Sequence, residues 1–184
     1  MRTLHTKSVK RFYVIYFNGF SLKGEETLFE DYIKKGDTCV VGFSFGAQKA
    51  FDYVYDTKER IDTLILLSPA FFQTEKPSFI RTQLRYFEAG QKAYVEQFLN
   101  NVTYPSNFDL STYLKVGTKD ELNSLLSYRW EKDKIQSILE RGTSIEVFLG
   151  EEDKIIDATK AKDFFSQTTC YLLKKTGHLL KESL

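Results

Sequence analysis

The chain has few of the residues that usually staple or metallate a small protein: two cysteines, two histidines, three prolines, one methionine and one tryptophan in 184 residues. Two cysteines make no disulfide framework. Cys39 and Cys170 each fall inside an apolar run, where a thiol behaves as a small hydrophobe in a reducing compartment, and neither sits among metal ligands. Charge of one sign is lacking too, since 26 Lys and Arg against 25 Asp and Glu leave a formal +1. The whole-chain field therefore gives no ground for a nucleic-acid or membrane partner, and any charged partner must be read from a local face. No apolar run approaches the length that crosses a bilayer, and residues 1–7 lack the apolar stretch of a signal peptide, so a cytoplasmic protein is expected.

What the chain does have is bulky apolar material, with 16 Phe and 11 Tyr, enough to fill one core at this length. Five short apolar runs, 12–17, 39–43, 64–67, 145–149 and 170–173, are continuous rather than alternating, with Glu146 the one charged residue in them. Strands covered on both faces look like this. Helical spacing separates several of them: Leu28, Phe29 and Ile33 within 25–34, then Ala47, Ala50, Phe51 and Val54 within 47–55. The alternation predicts an α/β protein with a mainly parallel sheet of about five strands. Between the third and fourth strands, about 71–141 carries helical periodicity and no strand, and reads as an inserted helical cap, with a plain helical layer equally compatible. Strands visited in sequence with right-handed crossovers put all their helices on one face. The other face then needs cover from the amino-terminal segment, an edge rearrangement or a second subunit.

The most specific local pattern is Gly42-Phe43-Ser44-Phe45-Gly46, entered by a β-type run and left by a small-residue helix. That is the outline of a turn that presents a nucleophilic serine at the carboxyl edge of a sheet. A serine hydroxyl needs a base, usually a histidine oriented by a carboxylate. His5 precedes the first strand, whereas His178 follows the last strand, at the edge where Ser44 emerges, so His178 is the candidate base. The acid is expected between them, in Gly150-Glu151-Glu152-Asp153-Lys154-Ile155-Ile156-Asp157, where Asp153 leads and Glu152 and Asp157 are rivals. Charge developing on the carbonyl oxygen calls for backbone donors, and the N–H groups of Phe45 and Phe20 are the candidates for this oxyanion hole. Arg81 and Arg85, one helical turn apart, make a two-charge basic face that Lys76 and Arg129 extend if they lie near it.

With Phe17-Asn18-Gly19-Phe20, the Ser44 turn, Gly150-Glu151-Glu152-Asp153 and Gly177-His178 in this order, the chain resembles the α/β-hydrolases. More closely, it is similar over nearly its whole length to the short pimeloyl-[acyl-carrier protein] methyl ester esterases of bacterial biotin synthesis. Leu28-Phe29-Glu30, the continuation Ala47-Gln48-Lys49-Ala50, Phe79-Ile80-Arg81-Thr82-Gln83-Leu84 and Ile145-Glu146-Val147-Phe148-Leu149-Gly150 carry that closer likeness. The resemblance implies a reduced α/β-hydrolase fold and hydrolysis of a carrier-bound methyl ester without metal or organic cofactor. It assigns Ser44 as nucleophile, His178 as base, Asp153 as orienter and Phe20 with Phe45 as oxyanion donors. It also implies an acidic acyl carrier protein as the partner of Arg81 and Arg85. A thioesterase or general short-acyl esterase would use the same residues, and a noncatalytic scaffold that binds a carrier protein would keep the fold. Three departures stand out. The strand and helix that larger relatives place before the serine turn are missing, Asn18-Gly19 replaces their His-Gly, and little chain follows His178.

Overall fold

The computed structural model of the chain describes residues 13–34 and 38–183. Five parallel strands, β1 (Val14–Phe17), β2 (Cys39–Phe43), β3 (Thr63–Leu67), β4 (Ser144–Gly150) and β5 (Thr169–Leu173), lie side by side in chain order. The register pairs Val14 with Cys39, Cys39 with Thr63, Thr63 with Ser144 and Glu146 with Thr169. Every residue of β2 and β3 is buried, which is why these strands read as unbroken apolar runs. β1, an edge strand, is more exposed, and the expected position Phe12 lies outside the described residues. Cys39 and Cys170 stand on β2 and β5 with two strands between them.

Alternate residues of the strands feed two cores. Val40, Leu64, Leu66, Val147 and Leu149 face α1 (Phe45–Asp56), α5 (Lys132–Glu140) and α6 (Ala158–Phe164), whose Phe51, Val54, Ile135, Ile138 and Ala161 close that side. Each such side chain contributes roughly 1.5–3 kcal/mol by leaving water. Cys39, Val41, Phe43, Ile65 and Leu67 face the opposite way, against Phe29, Val102, Leu110, Leu179 and Leu180. The second face is thus covered from within the chain, by the β1–β2 connection, by Val102 and Leu110 from between β3 and β4, and by the residues after His178. In that connection the expected helix 25–34 is a 3-10 segment, Glu25–Tyr32, broken at Phe29 (φ −120°, ψ 15°). Burying the Phe29 ring against Phe43 at 4.8 Å and stacking it on Tyr16 outweighs regular helix geometry. Because the strands run in sequence across the sheet, a connection on this face has the opposite hand to those that carry α1, α5 and α6.

The segment 71–141 folds into α2 (Pro77–Ala89), α3 (Gln91–Thr103), α4 (Lys119–Ser127) and α5. Pro77 occupies the first turn of α2, and Thr118 with Glu121 forms a capping box that starts α4. Helix α2 packs on both α3 and α4, whereas α5 packs on α1 and β4 and completes the sheet layer. The short helix α6 goes unnoticed in the sequence reading. Asp157 caps it, accepting the Lys160 N–H at 3.0 Å. Among the described residues no helix is long and apolar enough to cross a membrane.

Candidate functional site

The chain turns sharply between β2 and α1. Ser44 stands at φ 53°, ψ −112°, a conformation that costs an ordinary L-residue of order 1–3 kcal/mol. The turn survives because its neighbours give way. A Cβ on Gly46 would lie 1.9 Å from the Phe17 carbonyl oxygen, and one on Gly42 would lie 2.3 Å from that of Gly46, so β1, β2 and α1 approach only with glycine at both positions. Three hydrogen bonds hold the turn: Ser44 N–H donates to Leu67 O at 2.9 Å, and Ser44 O accepts from the N–H groups of Ala47 and Ala70 at 3.1 Å each.

His178 arrives from the other end of the chain. Its Nε2 lies 2.9 Å from Ser44 Oγ and its Nδ1 lies 2.7 Å from Asp153 Oδ2. With a carboxylate at Nδ1, the tautomer that satisfies both bonds carries its proton on Nδ1 and accepts the serine O–H at Nε2. The Asp153 and His178 side chains are fully buried, and Ser44 is 2% exposed, so bulk water does not compete for these bonds. Asp153 is held by its own loop, because Oδ1 accepts the N–H groups of Ile155 at 2.7 Å and Ile156 at 3.1 Å. The rivals are placed elsewhere: Asp157 serves as the α6 cap and Glu152 is exposed. His5 lies outside the described residues.

The loop after β1 approaches the same turn. Its Phe20 is 2% exposed, with its ring edge-on to Phe98 at 5.6 Å and tilted against Phe87 at 6.3 Å. Neither Phe20 N–H nor Phe45 N–H has a protein acceptor among the described residues, and both residues line one cleft of about 260 Å3 together with Asn18, Lys23, Lys49 and Lys115. Asn18 accepts the Gly24 N–H at 2.9 Å and closes the loop on itself. A second cavity, about 330 Å3 and mainly apolar, lies among Phe72, Phe79, Phe98, Leu122, Leu125 and Ile155. It adjoins the loop that carries Asp153. Neither this cavity nor a larger one of about 670 Å3, between α3 and 107–114, is lined by Ser44, Asp153 or His178.

Arg81 and Arg85 are exposed on α2, the helix whose Phe79, Gln83 and Tyr86 wall the apolar cavity. Lys76 precedes that helix, exposed, and Arg129 donates to the Gln73 carbonyl. Three supporting residues escape a reading from sequence. Ser68 Oγ–H donates to the His178 carbonyl at 2.7 Å, Gln48 Nε2 donates to the carbonyls of Ala70 and Leu125 at 3.0 Å each, and Glu25 accepts the Gly19 N–H. Their partners are 110, 22, 77 and 6 positions away. Only the last is a local signal, an acid at the start of a 3-10 segment.

No family model matches the sequence, and no curated protein matches it significantly. Solved structures match its shape. Naproxen esterase (carboxylesterase NP) from Bacillus subtilis superposes with a TM-score of 0.62 at 14% identity, over 94% of this chain and 79% of that one. The α/β-hydrolase MGS-M2, from a Medee basin deep-sea metagenome library, gives 0.63 at 12% identity, over 94% and 84%. BioG from Haemophilus influenzae gives 0.55 at 11% identity, over 90% and 88%. The fold is that of the α/β-hydrolases.

Proposed function

We propose that the chain is a serine esterase that hydrolyses the methyl ester of a pimeloyl chain carried on acyl carrier protein. The hydrogen-bonded series Ser44–His178–Asp153, with its serine in a strained turn, is the observation that carries this reading. Ser44 Oγ attacks the ester carbonyl while Nε2 of His178 takes its proton, and Asp153 holds the ring and stabilises the imidazolium that forms. Negative charge moves to the carbonyl oxygen, where the N–H groups of Phe20 and Phe45 receive it. Each such donor is worth about 2.7–4 kcal/mol in a dry site. Collapse of this intermediate breaks the C–O bond to the methoxy group, which leaves as methanol with the proton from Nε2. Water, deprotonated by the same nitrogen, then releases the acid and restores Ser44. No step in this sequence calls for a metal or an organic cofactor.

Two features of the surroundings are in keeping with this substrate class. An apolar cavity of about 330 Å3 suits a polymethylene chain and lies at the small end of ligand pockets. Arg81 and Arg85, on the outside of a helix that walls it, offer charge complementarity to an acidic carrier. The likeness in fold to structures named as esterases is in keeping with ester hydrolysis, although fold alone selects no substrate.

The test is incubation with purified pimeloyl carrier-protein methyl ester, followed by product mass. Loss of one methylene with the thioester intact supports the reading. Release of the acyl chain from the carrier replaces it with a thioesterase. A fluorophosphonate that labels the wild type at Ser44 and leaves Ser44→Ala untouched supports catalysis. A folded wild type that resists every such probe refutes it.

A further inference from the structure

Glu25 is the one fully buried carboxylic acid of the described residues outside the serine site, with 0% exposure. Nothing in the proposed mechanism uses it. Its Oε1 accepts the Gly19 N–H at 2.6 Å and the Tyr16 hydroxyl proton at 3.3 Å, while Oε2 is buried with no hydrogen-bond partner. Burying such a group works against stability, because an unsatisfied buried oxygen costs about 1–3 kcal/mol and a carboxylate more. A neutral acceptor would hold Gly19 at lower cost. The place where this acid acts therefore matters more than the energy it supplies.

That place is the loop of the first oxyanion donor. The peptide N–H that Glu25 fixes belongs to Gly19, one residue before Phe20. The next peptide, which carries the Phe20 N–H, is held by its carbonyl end, since Gly19 O accepts the Leu22 N–H at 3.2 Å. In a trans peptide the N–H points opposite to the carbonyl, so these two anchors set the direction of the Phe20 donor. Asn18 Oδ1 pins the far side of the loop to Gly24, and the Phe20 ring is wedged against Phe98 and Phe87. Without Glu25, Gly19 loses the only bond among the described residues that holds its N–H, and its lack of a Cβ leaves the peptide free to rotate.

We infer that Glu25 is a positioning residue for the oxyanion hole: by clamping the Gly19 amide it aims the Phe20 N–H at the oxygen that becomes charged. The inference rests on the esterase reading. An aimed donor lowers the barrier by acting on the transition state more than on the bound ester, so its loss falls on kcat rather than KM. Glu25 touches neither substrate nor reacting atoms in this account.

The experiment compares wild type, Glu25→Leu and Glu25→Gln on a p-nitrophenyl acyl ester, with kcat expressed per Ser44 titrated to completion by a fluorophosphonate. Leucine keeps the volume and removes the acceptor, whereas glutamine keeps an oxygen that can take the Gly19 N–H. Glu25→Leu is expected to lose about 100-fold in kcat per titrated site with KM within threefold, the loss typical of one misplaced donor. Glu25→Gln is expected to recover at least tenfold of that. If Glu25→Leu does not fold, Glu25→Gln and Glu25→Ala give the same comparison through the titrated fraction. Folded Glu25→Leu with kcat within threefold of wild type overturns the inference and leaves the esterase reading intact, as does glutamine failing to improve on leucine. A wild type that turns over no ester and takes no label overturns the esterase reading, and this inference falls with it.

Discussion

Ser68 and His178, 110 positions apart, are joined by a buried hydrogen bond in which the Ser68 hydroxyl donates to the His178 backbone carbonyl at 2.7 Å. The bond ties the carboxyl end of β3 to the segment that carries the imidazole, which Leu179 N–H also anchors through the Val102 carbonyl at 3.1 Å. Ser68→Ala leaves that carbonyl unsatisfied. A stability loss of about 1–3 kcal/mol is expected, with lower ester turnover because the ring is less well held. Urea unfolding and initial rates measured together check this, and an unchanged midpoint would show that the bond contributes nothing.

Asp153 has its two oxygens committed to different tasks, Oδ1 to the N–H groups of Ile155 and Ile156 and Oδ2 to His178. In Asp153→Asn the amide oxygen must stay with the two N–H donors, so the amide nitrogen faces Nδ1. The imidazole then carries its proton on Nε2 and has no lone pair for the serine. Turnover is expected to drop about 10^4-fold with the fold preserved, as in other triads. A loss below tenfold would mean that Asp153 does not orient the ring.

The strain at Ser44 separates two inactive variants. Ser44→Ala keeps a Cβ at φ 53°, whereas Ser44→Gly removes it. Glycine is expected to be the more stable by about 1 kcal/mol, after its larger unfolded-state entropy is counted. Thermal unfolding of the pair is the measurement. An alanine variant at least as stable as the glycine variant would show that the turn is not strained.

Replacing Arg81 and Arg85 by alanine is expected to raise KM for carrier-bound substrate about tenfold, the ~1.4 kcal/mol that two rim charges supply. The effect should shrink at high salt and be much smaller on short free esters. Equal losses on both substrates would remove the docking role from these arginines.

Glu25 also gives a pH signature. Burial pushes its carboxyl above the ordinary range, against the N–H groups of Gly19 and of Glu25 itself and the Tyr16 hydroxyl, which favour the charged form, while Glu26 adds to the rise. The folded state thus prefers the protonated acid. This contribution is full below the ordinary carboxylate pKa and is lost as pH rises through the raised value. Denaturation midpoints collected across that window should fall less steeply in Glu25→Gln than in the wild type. Parallel slopes would mean that Glu25 titrates alike in the folded and unfolded states.

Sequence alone determined the strands, because residues buried on two faces leave continuous runs such as 39–43 and 64–67. It also determined the serine turn, whose Gly42 is demanded by contact with Gly46 and Ala47 within one strand-turn-helix unit. Those are local constraints, written in neighbouring letters. Only the tertiary structure decided what covers the second face, which acid of an acidic loop meets His178, and that Ser68 and Glu25 serve the site. Each of these depends on a partner brought near by the order of strands across the sheet, as Leu179 and Leu180 are brought beneath Val41 and Ile65. Such pairings leave no periodicity behind, since one hydroxyl or carboxylate at one position reads the same whether it meets water or a buried amide.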